Sequence, residues 1–108
     1  EASKETAKRQ VGEAEEDAAR SESRLRQRLK SFQRQEAETK QLAEQSRVTF
    51  RLFERQFEAG QRSVMDVVNI YEQLVERERA HVAAKYEVIL IQLELARDFG
   101  LLADGDEI

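Results

Sequence analysis

The sequence predicts an all-α fold: a long antiparallel two-helix hairpin of coiled-coil character. Three observations predict it. The 108 residues include no proline and only four glycines, so turn punctuation is nearly missing. Ala, Glu, Lys, Leu, Arg and Gln are used heavily, and these side chains lose little freedom on entering a helix. Apolar or small residues recur at a seven-residue spacing on both sides of a break at 59–63, the pattern of two helices packed along one seam.

The first helix is expected over about 3–58. One row of its seam is Val11, Ala18, Leu25, Phe32, Thr39, Ser46 and Phe53. A second is Ala14, Leu29, Leu42 or Ala43, Phe50 and Phe57. The rows are weak and polar at the start and stronger towards Phe57. Acid-to-base pairs four apart support the helix in the favourable order: Glu16–Arg20, Glu22–Arg26 and Glu36–Lys40. At the break, Gly60 can take the left-handed conformation that ends a helix. Ser63 can cap the next helix, and Asp66 three residues on completes a capping-box-like pattern. The second helix is expected over about 64–99, with a seam row at Val68, Val75, Val82, Ile89 and Ala96. Gly100 is the next stop signal, the hairpin is taken to end by 102, and 103–108 reads as an acidic tail.

In an antiparallel pair, facing positions have a constant index sum. A sum of 121 matches Phe57 with Val64, Phe53 with Val68, Phe50 with Tyr71, Ser46 with Val75, Thr39 with Val82, Phe32 with Ile89, and Leu25 with Ala96. It also sets Glu36 against Lys85. Residues 1 to about 20 then have no partner in this chain, and an isolated helix of that composition is marginal in water. The second helix is also too apolar for a hairpin that buries one stripe. Tyr86, Val88, Ile89, Leu90, Ile91, Leu93, Leu95 and Ala96 cover most of its circumference, which calls for further neighbours. Periodicity alone leaves two arrangements open: a core formed by dimerisation, or a wall in which each helix has a neighbour on both sides.

Composition narrows the function classes. Charged residues are 37% of the chain, yet the net charge is only −4. Residues 1–58 are near balance at +1 and residues 59–108 carry −5, so the basic stripe of a nucleic-acid binder is not seen beyond Arg47, Arg51 and Arg55. Zero cysteines remove disulfides and thiolate metal sites, and the lone histidine, His81, has no companion ligands. No nucleophile elbow, phosphate loop or acid–base constellation is visible, so neither enzymatic activity nor a cofactor is expected. No apolar run is long enough to cross a membrane as a helix, and no signal peptide is visible. A first residue of Glu suggests a processed or cut end.

The stretch Phe57-Glu58-Ala59-Gly60-Gln61-Arg62-Ser63-Val64-Met65-Asp66-Val67-Val68-Asn69 resembles the tip signature of the TolC family of outer-membrane efflux and type I secretion proteins. That signature is an aromatic, a small residue, Gly-X-Arg-Ser/Thr, then aliphatic-Asp-aliphatic-aliphatic-Asp/Asn. Tyr71-Glu72-Gln73-Leu74, Ala83-Ala84-Lys85-Tyr86-Glu87-Val88-Ile89-Leu90 and Leu95-Ala96-Arg97-Asp98-Phe99-Gly100-Leu101-Leu102 are similar to the family's returning helix. The resemblance spans about residues 46–102.

The resemblance implies a hairpin at the lower end of a periplasmic α-helical barrel, in a homotrimeric duct anchored by an outer-membrane β-barrel. The turn, at Gly60, Gln61, Arg62 and Ser63, would dock the hairpin tips of a periplasmic adaptor (membrane-fusion) protein, which links the duct to an inner-membrane pump. Phe57, Asp66 and Asn69 would belong to the periplasmic entrance, where a ring of Asp66 carboxylates attracts cations. Asn69 replaces a residue that is often acidic in the family, which weakens a second charged ring. Phe57 is expected in the core against Val64, with a latch role added by the resemblance. The family's β-strands and second hairpin do not occur in this sequence, so the chain is expected to be a fragment, with no nucleic-acid or membrane contact of its own. The competing readings are a coiled-coil spacer or dimerisation hairpin, and the hairpin of an adaptor protein. The adaptor pattern of Arg, Leu and Ser/Thr spreads over about two turns, whereas this tip is compact.

Overall fold

The computed structural model describes residues 2–100. Helix α1 is Ala2–Glu58 and helix α2 is Val64–Phe99, with no strand among the described residues. The expected acidic tail at 103–108, and the Leu101-Leu102 end of the returning-helix motif, lie outside them. The chain divides into two compact units: Ser31–Ile89, and the described residues of Glu1–Lys30 with Leu90–Ile108.

Within Ser31–Ile89 the helices run in opposite directions, as three contacts show. Phe50 and Tyr71 meet as a tilted aromatic pair with ring centroids 5.4 Å apart. Arg47 Nε donates to Glu78 Oε1 at 3.0 Å. Thr39 Oγ1 lies 3.3 Å from His81 Nδ1. As the index falls along α1, it rises along α2. The aromatic pair matters most energetically, since such pairs contribute about 0.5–1.5 kcal/mol beyond the area they bury. The Arg47–Glu78 pair is half exposed on both sides and contributes at most about 1 kcal/mol.

The Thr39 hydroxyl also lies within hydrogen-bond distance of the Gln35 carbonyl (2.8 Å) and the Glu36 carbonyl (3.0 Å). A polar pair is thereby satisfied inside an apolar seam, and no buried side-chain N or O among the described residues lacks a partner.

On α1 the inward row is the one the heptads predict. Phe32, Thr39, Phe50 and Phe53 are half-buried and Ser46 is buried. Of Leu42 and Ala43, Ala43 is the buried one, with no accessible surface, while Leu42 is exposed. On α2 the expected row is displaced. Val68, Val82 and Ile89 are exposed and Val75 is only half-buried. The inward row is Val67, Ile70, Leu74, Arg77, His81, Ala84 and Val88. One residue corresponds to about 100° of helix rotation, so this is a different face. Two rows one residue apart are both apolar on α2, and Arg77 and His81 made the true one look polar. The same displacement puts Thr39 beside His81 rather than Val82, and Glu36 and Lys85 are not an ion pair among the described residues.

In the other unit the buried hydrophobic residues are Leu29, Ile91 and Leu95. Leu25, Ala96 and Phe99 are half-buried, so Leu95 rather than Ala96 holds the inward position. Residues 2–20 are helical, and all but Gly12 are exposed. Glu22 and Arg26 form their expected pair at 2.9 Å, whereas Arg20 takes Asp17 instead of Glu16. Near the end of α2, Arg97 donates from Nε and Nη2 to both oxygens of Asp98. The hydrogen bond from Arg97 holds the Asp98 carboxyl below the usual carboxylate range. Its contribution is present above the unfolded-state pKa and is lost as pH falls through the lowered folded value. Both side chains are exposed, so solvent screens it.

Two substitutions test the packing in urea unfolding followed by far-ultraviolet circular dichroism. Ile91→Ala is expected to destabilise by about 2–5 kcal/mol, because Ile91 is almost wholly buried. Ala43→Leu is expected to cost about 1–3 kcal/mol by overpacking a position with no free surface. An Ala43→Leu chain with an unshifted midpoint would refute the close approach of the helices there.

Candidate functional site

The only irregular segment among the described residues between the two helices is the turn at 59–63. Gly60 makes it possible, with φ of +76°. A side chain at that φ is disfavoured by its own Cβ, and glycine has none. The orphan carbonyls at the end of α1 are closed by turn amides. Ala59 N–H donates to Arg55 O (3.1 Å), Gly60 N–H to Phe57 O (2.9 Å) and Gln61 N–H to Gln56 O (2.7 Å). The last two bonds together are the usual closure of a helix by a left-handed residue.

The start of α2 is closed reciprocally. Asp66 N–H donates to Ser63 Oγ at 3.1 Å, and Ser63 N–H donates to Asp66 Oδ2 at 3.4 Å. Val67 N–H then donates to the Ser63 carbonyl at 3.3 Å, beginning the helical ladder. The Asp66 carboxylate also faces the positive end of the helix dipole. Asp66 is half-buried and used as a cap in this structure.

Arg62 is not a free surface cation. Its Nε donates to Gln56 Oε1 at 2.7 Å, and its Cζ sits 4.0 Å from the centre of the Phe53 ring. The guanidinium is therefore held on one face by an aromatic and on one edge by an amide, both from the last turns of α1. Sequence reasoning did not identify Phe53 and Gln56 as partners of Arg62. They lie nine and six residues away, spacings at which no helical rule applies, and only the turn geometry brings them together.

The remaining expected site residues are dispersed. Phe57 is 43% exposed and Val64 is 58% exposed, so they do not form the expected core pair. Helix α1 turns Phe53 inward, and Phe57, one turn on, is carried past the end of the inward row. Asn69 and Gln61 are exposed. Asn69 borders a shallow surface hollow with Tyr71, Glu72, Gln73, Val75, Glu76 and Arg79, all on α2, and one helix face cannot enclose a small molecule. No group of three or more His, Cys, Asp or Glu able to hold a metal occurs among the described residues. Among the described residues no helix is long and apolar enough to cross a membrane.

Around Gly60, a Cβ built on the backbone would meet no atom within 4 Å. The turn thus presents bare backbone at its apex, with the side chain of Arg62 fixed beside it. Comparison with family models, curated proteins and solved structures found no match.

Thermal and urea melts of turn variants test this account. Gly60→Ala should destabilise by about 1 kcal/mol through backbone strain alone, since space is open. Ser63→Ala should cost about 1 kcal/mol through loss of the cap. A neutral Gly60→Ala would contradict the left-handed conformation.

Proposed function

We propose that this chain is the tip hairpin of a TolC-type outer-membrane duct, and that its turn docks a periplasmic adaptor protein. The observation that carries the reading is the open backbone at Gly60 within the Gly60-Gln61-Arg62-Ser63 turn, where a second hairpin can approach closely. On this reading Gly60 and Gln61 are the contact apex, Arg62 supplies a cation and Ser63 holds the second helix in place. Phe57 and Asn69, both exposed, face neighbouring hairpins or the entrance, and Asp66 reaches the entrance only while serving as a cap.

The uncovered apolar surface supports the same reading. In Ser31–Ile89, α2 exposes Val68, Tyr71, Val82, Tyr86 and Ile89, and α1 exposes Leu42, Val48 and Leu52. In the other unit, α2 exposes Leu90 and Leu93. Surfaces of this kind are rarely left to water, and neighbouring hairpins of a trimeric barrel would cover them. Such a duct lies in the periplasm and serves an inner-membrane pump through the adaptor.

The test is a pull-down of immobilised adaptor hairpin against three versions of this chain. Wild type should bind. Gly60→Ala shares the backbone strain of any substitution but adds little bulk, and should retain most of the binding. Gly60→Leu should lose at least tenfold in affinity by blocking approach. If Gly60→Leu binds like wild type, the docking role fails and a coiled-coil spacer is the better reading.

A further inference from the structure

We propose that Phe53 and Gln56 are positioning residues for Arg62, setting its guanidinium so that the Nη1/Nη2 edge faces outward as a fixed fork for a carboxylate on the docking partner. The use made of the fork rests on the adaptor-docking reading; the positioning itself does not.

A guanidinium has two edges that can hold a carboxylate in two parallel bonds, the Nε/Nη2 side and the Nη1/Nη2 end. The 2.7 Å bond from Nε to Gln56 Oε1 occupies the side edge. The Phe53 ring, 4.0 Å from Cζ, covers one face. What remains is the end edge, on a residue that is exposed at the turn. A long side chain normally loses much of its rotamer freedom when a partner fixes it. Here much of that ordering has happened before any partner arrives, which is how pre-organisation raises affinity. A carboxylate suits the end edge because its two oxygens match the spacing of the two nitrogens, while an ammonium at this position would offer no fork.

Gln56 is well placed for this role for a second reason. Its backbone carbonyl accepts the Gln61 amide at 2.7 Å, so the same residue closes the turn and holds the cation that follows it. Side-chain substitutions at 56 leave the carbonyl in place and therefore isolate the second task.

The experiment uses the whole chain labelled with ¹⁵N-arginine. In wild type, the Arg62 Nε–H should give a resolved signal with slowed water exchange and restricted motion. Gln56→Ala should abolish that restriction while leaving helix content unchanged, and Gln56→Glu, which keeps an acceptor, should restore it. An Arg62 signal equally mobile in wild type and Gln56→Ala would overturn the positioning role. The second arm measures binding to two immobilised adaptor hairpins, one carrying Asp or Glu at its turn and one with those residues changed to Asn or Gln. Gln56→Ala should weaken binding about tenfold, and it should have no further effect once Arg62→Ala is present or the carboxylates are removed. Additive losses would overturn the fork. If wild type binds no adaptor hairpin, the docking reading and the fork's use fall together, while the Nε–H measurement still decides whether Phe53 and Gln56 position Arg62.

Discussion

The hairpin depends on one residue with a positive φ. Gly60 turns the chain in the left-handed region, and the amides of Gly60 and Gln61 can then close the last carbonyls of α1. Without that reversal nothing would bring Phe50 to Tyr71 or Thr39 to His81. The restart is equally local. Ser63 and Asp66 exchange hydrogen bonds within four residues, so the second helix begins with the Ser63 and Asp66 amides already paired. A short segment with few degrees of freedom thus fixes the direction of a much longer one.

Helix ends were legible because their signals are local. Gly at a stop and Ser followed by Asp at a start act through bonds spanning three to five residues, and those bonds are present in the turn. The inward row of α1 was legible because its other faces are mostly charged or polar, with Leu42, Val48 and Leu52 as exceptions, leaving Phe32, Ser46 and Phe53 less competition. The row on α2 was not. Val68, Val82 and Ile89 form as good an apolar pattern as Leu74, Ala84 and Val88, and only packing against α1 distinguishes them. The true row also contains Arg77 and His81, which hydropathy counts against it although His81 is satisfied by Thr39.

At the turn, the caps followed from residue type, but the placement of Arg62 did not. Its contacts cross the reversal, from 62 back to 53 and 56, and depend on the angle at which the chain leaves Gly60. The expected burial of Phe57 failed for a related reason. A seven-residue repeat extrapolated to the helix terminus assumes a partner helix beside it, and at the last turn the chain has already begun to leave.

The uncovered row on α2 is rich in branched side chains. Val68, Val82 and Ile89 each carry two heavy atoms on Cβ and hold nearly one rotamer in a helix even when exposed. Covering such a face removes water from apolar surface while freezing little side-chain motion that was not already frozen. Flexible side chains such as Met or Lys in the same positions would surrender far more entropy on contact. The row of Val68, Val82 and Ile89 is in this sense rigid before it meets anything, and any association along it would be governed by shape match rather than by side-chain adjustment.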